Sequence, residues 1–447
     1  MMKHDMMRLK PIFILSVFIL IGNTLVGCAG GKASLEPVAA IQTKATPSFT
    51  STISSVATEL SHITKTPTLH PTSTDIPLTK TPLPRIPYKT VPEEIGDGWK
   101  TESLVEADID PYLINELVEH IYKGEFSSDS TTHEDGSRKF KGFNAVVIVK
   151  DGALVFEEYF NSSDRNIKQD THSVTKSVTS LLIGLAIDHG FLRGVDVKAI
   201  PYLTDYMPVD YWDENKRNIT IRDLLTMSSG LDCDDSDPSS RGQQWKMYKS
   251  DNWLKYYINL PSVRPPGRAF AYCSGGVIAL GGILERATGM SVSDFSGKYL
   301  FEPMGIEKFG WLEFPWGTST SGALSMLPRD MAKIGQLMLD NGKWNNQQII
   351  SADWVSESRS KQIDLRFRSR EWFREYGYLW WRGKVLIKGT TFHPYAAWGL
   401  GGQFIMVFPK INTVVVFSTS NQEKDSNIPL RITEKYILPA ILDGAPD

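Results

Sequence analysis

The chain has 447 residues, 41% hydrophobic and 22% charged, a composition that excludes wholesale disorder and demands at least one sizeable buried core. Lys and Arg (48) nearly balance Asp and Glu (51), leaving a net charge of −3. No summed field of that size gathers nucleic acid, so the expected partner is small or neutral.

The N-terminus reads as an export signal. Lys3, Arg8 and Lys10 precede an apolar run over 12–21, which is too short for the about 20 residues that span a bilayer. Leu25-Val26-Gly27-Cys28 follows and resembles the lipobox of bacterial lipoproteins, in which the Cys becomes the lipidated N-terminus. A plain secretory signal with a coincidental Cys is the alternative. Lipidation of Cys28 would supply the two or more acyl chains that stable anchoring needs. The expected location is extracytoplasmic, anchored to a bacterial cell envelope.

From 41 to 90, 26 of 50 residues are Ser, Thr or Pro. Pro fixes φ and removes a donor, and short polar side chains bury too little to offset ordering entropy, so residues 29–97 read as an extended tether. The remaining 98–447 suits one catalytic unit of two lobes.

Within it, 144–150 and 153–159 flank Asp151-Gly152, a strong hairpin signal. The stretch 173–192 is apolar on nearly all sides through its middle, which predicts a buried helix with an informative polar tip. Residues 195–340 show mainly helical periodicity, including 276–288 and 330–338. Strand character returns at 376–381, 403–408 and 413–418, and 430–442 reads as a closing helix. The expectation is an α+β fold, with an antiparallel sheet from both chain ends flanked by helices and a mainly helical lobe from the middle.

Ser173-Val-Thr-Lys176 is an S-x-x-K pattern. About two such matches arise by chance in a chain this long. Ser358-Arg-Ser-Lys361 is a second, but its polar setting leaves the amine solvated. Ser173 instead caps the buried helix. At i and i+3 its hydroxyl shares a face with Lys176, and packing against the apolar run favours the neutral amine that can take a proton. The free NH groups of the helix tip suit a developing oxyanion. Tyr272-Cys-Ser274, followed by Gly275-Gly276, opens a second apolar helix; Tyr272 within reach of Ser173 and Lys176 would relay protons. Trp398-Gly-Leu-Gly401-Gly402-Gln403 is a Gly-rich entry to a strand where substrate could lie against backbone.

In order and spacing these elements resemble the β-lactamase-like serine hydrolases: class C β-lactamases, D-alanyl-D-alanine carboxypeptidases, related esterases and 6-aminohexanoate-dimer hydrolases. Supporting blocks lie at 219–231, Pro266-Gly267, 300–306 and 322–335. The resemblance implies a β-lactamase/transpeptidase-like fold, with Ser173 as the acylated nucleophile, Lys176 as general base and Tyr272 as proton relay. It further implies Ser274 as a partner of Lys176 or substrate, and one NH of Gly401, Gly402 or Gln403 in the oxyanion hole. One departure matters. Where penicillin-recognising members carry Lys-Thr-Gly or His-x-Gly, Leu400 precedes Gly401-Gly402, with no cation to pair with a substrate carboxylate. The form is more similar to the esterase and 6-aminohexanoate-dimer hydrolase branch, although Arg241 or Arg268 could restore the charge.

With Cys28 assigned to lipid, Cys233 and Cys273 form an even pair in an oxidising compartment, and a disulfide between them would join two walls of the site. Two unpaired small hydrophobes are the alternative. No metal motif occurs among the eight His, His172 reads as structural, and no cofactor is expected. Trp380, Trp381 and Trp398 are candidates for an apolar pocket wall. The leading reading is a lipid-anchored serine hydrolase of a small ester or amide. A carboxypeptidase or β-lactamase, and a non-catalytic penicillin-binding-like sensor, are the alternatives.

Overall fold

The Asp151-Gly152 turn takes left-handed φ values of 52° and 84°, the twist that a tight hairpin needs. It joins β2 (Phe143–Lys150) to β3 (Ala153–Tyr159) in antiparallel register. The computed structural model describes residues 85–124, 142–365, 372–420 and 426–446. The export signal, Cys28 and most of the expected tether lie outside the described residues.

A nine-stranded sheet is the spine of the fold. Besides β2 and β3 it contains β1 (Lys100–Thr101), β4 (Ile363–Asp364), β5 (Phe373–Tyr376), β6 (Trp381–Gly383), β7 (Tyr395–Gly399), β8 (Gln403–Phe408) and β9 (Thr413–Thr419), in spatial order β1-β3-β2-β9-β8-β7-β6-β5-β4. The chain ends meet at its centre, where β9 pairs with β2. The sheet is mixed rather than purely antiparallel, because the two-residue β1 runs parallel to β3 at one edge. Residues 376–381, expected as one strand, are instead interrupted between Tyr376 and Trp381. Gly377 N–H donates to Trp380 O at 2.8 Å, and Leu379 has φ 61°, so a turn separates β5 from β6.

Both faces of the central strands are covered, which is why 403–408 reads as a continuous apolar run rather than an alternating one. Ile405 and Met406 are neighbours and so face opposite ways. On Ile405's side packs α6 (Pro328–Leu339), where a Cβ on Gly335 would come within 2.8 Å of Ile405. On Met406's side the Thr433 hydroxyl meets its sulfur at 3.9 Å, within the C-terminal helical run Ile428–Ile432, Thr433–Ile437 and Leu438–Asp443. That run packs against α1 (Pro111–Tyr122), whose cap Asp110 accepts from Tyr112 N–H at 2.7 Å.

The middle of the chain supplies α2 (Val174–Asp188), α3 (Ile221–Leu225), α4 (Gln244–Met247) and α5 (Ser274–Thr288), with two-residue strands following from Phe309 to Met326. A capping box of Thr220 and Asp223 starts α3.

Residues 85–97, assigned to the tether from composition, lie along the folded unit. Tyr88 N–H donates to Pro111 O at 2.9 Å, its hydroxyl donates to Glu158 at 2.6 Å, and Arg329 reaches Glu93 O at 2.7 Å. The packed region therefore begins ahead of the expected boundary at Gly98. Among the described residues no helix is long and apolar enough to cross a membrane.

Candidate active site

Everything in the site is built around the tip of α2. Hydroxyls pin this helix to its surroundings: Thr171 donates to Leu324 O at 2.8 Å, Thr179 to Thr320 O at 2.8 Å, and Ser177 to Leu379 O at 2.6 Å. Thr320 in turn donates to Val277 O on α5 at 2.7 Å. Small polar side chains on this buried helix and its lead-in thus find backbone acceptors on two neighbouring segments, which satisfies them and fixes the helix position. Just before the tip, His172 adopts φ 46° and turns the chain so that Ser173 stands as the cap residue.

Lys176, only 1% exposed, donates from Nζ to Ser173 Oγ at 3.0 Å and to Ser321 O at 2.5 Å. The same nitrogen lies 5.1 Å from the centroid of the Tyr272 ring. The structure therefore brings together the three side chains singled out from sequence. Ser173 N–H makes no hydrogen bond within the described chain, leaving one donor at the tip for an oxyanion. The other tetrapeptide does not assemble: Ser358 is buried in its own helix, and Lys361 pairs with Asp364 at 2.8 Å at the surface.

β7 ends against this tip. A Cβ on Gly399 would sit 2.6 Å from Thr171 O and 3.1 Å from the His172 Cβ, so strand and nucleophile approach closely only because that side chain is absent. The Gly-rich residues that follow play a different part from the one expected. Gly401 N–H is taken by Ser426 Oγ at 3.1 Å, and Gly402 N–H closes the turn to Gly399 O at 3.3 Å. Gln403 is buried and clamps Thr419, accepting from its N–H at 3.1 Å and donating to its hydroxyl at 3.2 Å. Gly401 and Gly402 thus spend their N–H groups on the turn, and the Gln403 side chain is engaged by Thr419.

Ser274 N–H donates to Asp235 Oδ2 at 2.8 Å, and its buried hydroxyl makes no hydrogen bond to Lys176. Cys233 and Cys273 are bonded, S–S 2.01 Å. Of the tryptophans, Trp380 is fully buried, edge-on to Tyr395 at 5.8 Å, and so belongs to the core rather than to a pocket wall. Its neighbour Trp381 stacks on Tyr272, centroids 5.7 Å apart and planes at 26°. Trp398 lies behind Trp381 at 5.3 Å and stacks on Phe404.

Leu400 is 56% exposed. Neither arginine replaces the missing cation: Arg241 is engaged by the Tyr211 hydroxyl at 3.1 Å, and Arg268 is exposed without a site contact. Among the described residues no cluster of His, Cys, Asp or Glu could hold a metal. Sequence reasoning missed Asp235 and Ser321. Asp235 was hidden in the acidic run Asp234-Asp235-Ser236-Asp237, which reads as a solvated loop, and Ser321 contributes only its carbonyl, which no side-chain pattern reveals.

The family profile described as Beta-lactamase matches residues 133–434. The chain belongs to this family. It is 25% identical over 301 residues to a 6-aminohexanoate-dimer hydrolase of Paenarthrobacter ureafaciens, covering 62% of this chain and 73% of that protein. Penicillin-binding protein 4 of Amycolatopsis lactamdurans is 29% identical over 196 residues, 42% of this chain and 49% of that one. A lovastatin esterase of Penicillium rubens is 24% identical over 186 residues, 38% and 46% respectively. The chain thus spans about half the length of these last two. Among solved structures the fold is shared with an octameric penicillin-binding protein homologue from Pyrococcus abyssi, TM-score 0.54 at 20% identity over 74% of this chain and 77% of that one. It is also shared with a family VIII carboxylesterase, TM-score 0.55 at 14% identity over 73% and 96%. Hydrolases of amides and esters therefore stand among its relatives.

Proposed function

We propose that this chain is a serine hydrolase that cleaves a small ester or amide through an acyl-enzyme on Ser173. The observation that carries the reading is the 3.0 Å bond between Lys176 Nζ and Ser173 Oγ in a buried setting. As general base, Lys176 takes the Ser173 proton while Oγ attacks the substrate carbonyl carbon. Charge on the carbonyl oxygen falls toward Ser173 N–H. Collapse expels the alcohol or amine, which receives its proton from Tyr272 or Lys176. Water then repeats the sequence on the acyl group and restores the free hydroxyl.

Leu400, in the place of a cation, favours uncharged substrates over those recognised by a carboxylate. This supports an esterase or amidase over a D-alanyl-D-alanine carboxypeptidase or β-lactamase. Export and anchoring through a lipidated Cys28 complete the proposal, resting on residues 3–28 alone.

A fluorophosphonate probe should label Ser173, and Ser173→Ala should abolish both labelling and turnover. A panel of nitrophenyl esters, short amides and a chromogenic cephalosporin should show esters or amides turned over and the cephalosporin spared. Turnover unaffected by Ser173→Ala would overturn the mechanism, and an unlabelled, inactive folded chain would favour a binding module. Metabolic labelling with a palmitate analogue, lost on Cys28→Ala, tests the anchor.

A further inference from the structure

A second cavity, of about 480 Å³, is walled by Asp210 and Tyr211, by Arg241 and Lys246, and by Tyr256 and Asn259. Its volume suits a small molecule. The loop 232–242 borders both this cavity and the candidate site: Asp232 N–H donates to Pro261 O on the cavity rim at 2.8 Å, and three residues on Asp235 N–H donates to Tyr272 O at 2.7 Å.

The walls are held in place by buried bonds. Lys216, fully buried, donates from Nζ to Asp210 O at 2.7 Å and to Ile258 O at 2.8 Å, tying together the two segments that carry Asp210 and Asn259. Burying an ammonium is costly, and here both bonds go to the cavity's own backbone. Asp210 N–H also donates to Asn259 Oδ1 at 3.0 Å. Tyr211 adopts φ 51°, a conformation that a bulky aromatic residue rarely takes and that collects at ligand clamps. Arg241 Nη1 donates to its hydroxyl at 3.1 Å, gripping the ring by its rim, and the side chain remains 56% exposed.

Charge narrows the choice of ligand. Arg241 lies 3.8 Å from Asp232, and Lys246 Nζ donates to Pro238 O at 3.0 Å and Ser240 O at 2.7 Å. Both cations are thus engaged, and Asp210 and Asp232 balance them, so nothing here favours an anion. The Asp210 carboxylate and the Asn259 amide nitrogen make no bond within the described chain. An acceptor and a donor beside an open aromatic ring match the hydroxyl edge and the C–H face of a sugar.

We propose that this cavity is a binding site for an uncharged saccharide, stacked on Tyr211 and hydrogen-bonded by Asp210 and Asn259. The inference stands apart from the chemistry at Ser173.

The test is calorimetric titration of the full-length chain with glucose, cellohexaose and chitohexaose. At least one should bind saturably with a Kd of about 1 mM or tighter; glucose binding as well as a hexamer indicates a free sugar as ligand, and binding of a hexamer alone indicates a glycan. Tyr211→Asn keeps a residue that tolerates the left-handed backbone but removes the ring, and should weaken binding about tenfold or more. Asp210→Asn should weaken it severalfold. Trp212→Ala removes an exposed neighbouring ring that does not line the cavity and should leave the isotherm unchanged. Urea unfolding verifies that each variant is folded. No saturable binding by any of the three sugars, an affinity unchanged in Tyr211→Asn, or an equal loss in Trp212→Ala overturns the proposal. Saturable binding of inorganic phosphate that Arg241→Gln abolishes also overturns it, since the cavity would then be an anion site. A chain that binds sugar yet fails to label at Ser173 would remove the hydrolase reading and leave this inference standing.

Discussion

The indole of Trp381 lies nearly parallel to the phenol of Tyr272, centroids 5.7 Å apart, while Lys176 Nζ stands 5.1 Å from the centroid of that phenol. The proposed relay is thus held between an aromatic plane and the proposed base, each restricting where its hydroxyl can point.

Removing that plane should loosen the relay more than it weakens binding. Trp381→Ala is expected to lower kcat by about tenfold or more, with a smaller change in KM. The exposed cavity should also cost about 3–5 kcal/mol of stability. Trp381→Phe should recover most of both. Steady-state kinetics with the best ester, alongside urea unfolding, separates these effects; an unchanged kcat in a folded Ala variant would show that the stack does not orient Tyr272.

A second prediction concerns the segment ahead of the sheet. Arg329, 2% exposed, forks onto Glu157 through two bonds of 2.7 Å and also reaches Asp97 at 3.0 Å and Glu93 O at 2.7 Å. Arg329→Met would strand a buried carboxylate and detach 93–97 from the body. Losing one partner of a buried pair typically costs about 3–5 kcal/mol, and Lys cannot reproduce the fork. The urea midpoint should drop accordingly in both variants, with earlier proteolysis near residue 97; a loss below about 1 kcal/mol would contradict this account.

Glu285 supplies a pH-dependent case. Burial raises its carboxyl above the ordinary value, only partly opposed by bonds from Val292 N–H and the Thr318 hydroxyl. A carboxyl raised on folding contributes stability below its unfolded pKa and loses it as pH climbs through the folded one. At pH 7 the ionised group is therefore a burden. Glu285→Gln, whose carbonyl can accept the same two bonds, should be more stable than wild type at pH 7, with the gap closing below pH 4. Urea midpoints at the two pH values decide the matter, and a less stable Gln variant at pH 7 would reverse the sign assigned here.

The sequence reveals features dictated by local chemistry. The Asp-Gly hairpin, the buried α2 and the apolar strands 403–408 and 413–418 follow from turn residues and hydrophobic pattern, which act over a few residues. Ser173 and Lys176 are legible because i and i+3 fix their relation within one helix. Tyr272 is suggested by its place ahead of the Gly-rich start of an apolar helix, but its pairing with Ser173 rests on family resemblance, since 99 residues separate them and no local rule spans that gap. What fails is parity and partner choice. Trp380 and Trp381 look equivalent in sequence, yet the turn at 377–380 sends one into the core and the other onto Tyr272. Gly401 and Gly402 look like open donors until Ser426, 25 residues on, takes the first N–H and Gly399 O the second. The parallel pairing of β1 is likewise set by tertiary placement, as two residues carry no usable pattern.

His172 carries one more consequence. Its φ of 46° belongs to a region that L-residues occupy at about 1–2 kcal/mol, with Gly, Asn and Asp least penalised and β-branched residues most. Substitution beside the nucleophile is therefore filtered by main-chain geometry before imidazole chemistry enters. Asparagine or glycine would preserve the approach to Ser173, whereas valine or isoleucine would swing the hydroxyl off its bearing without touching any reacting atom.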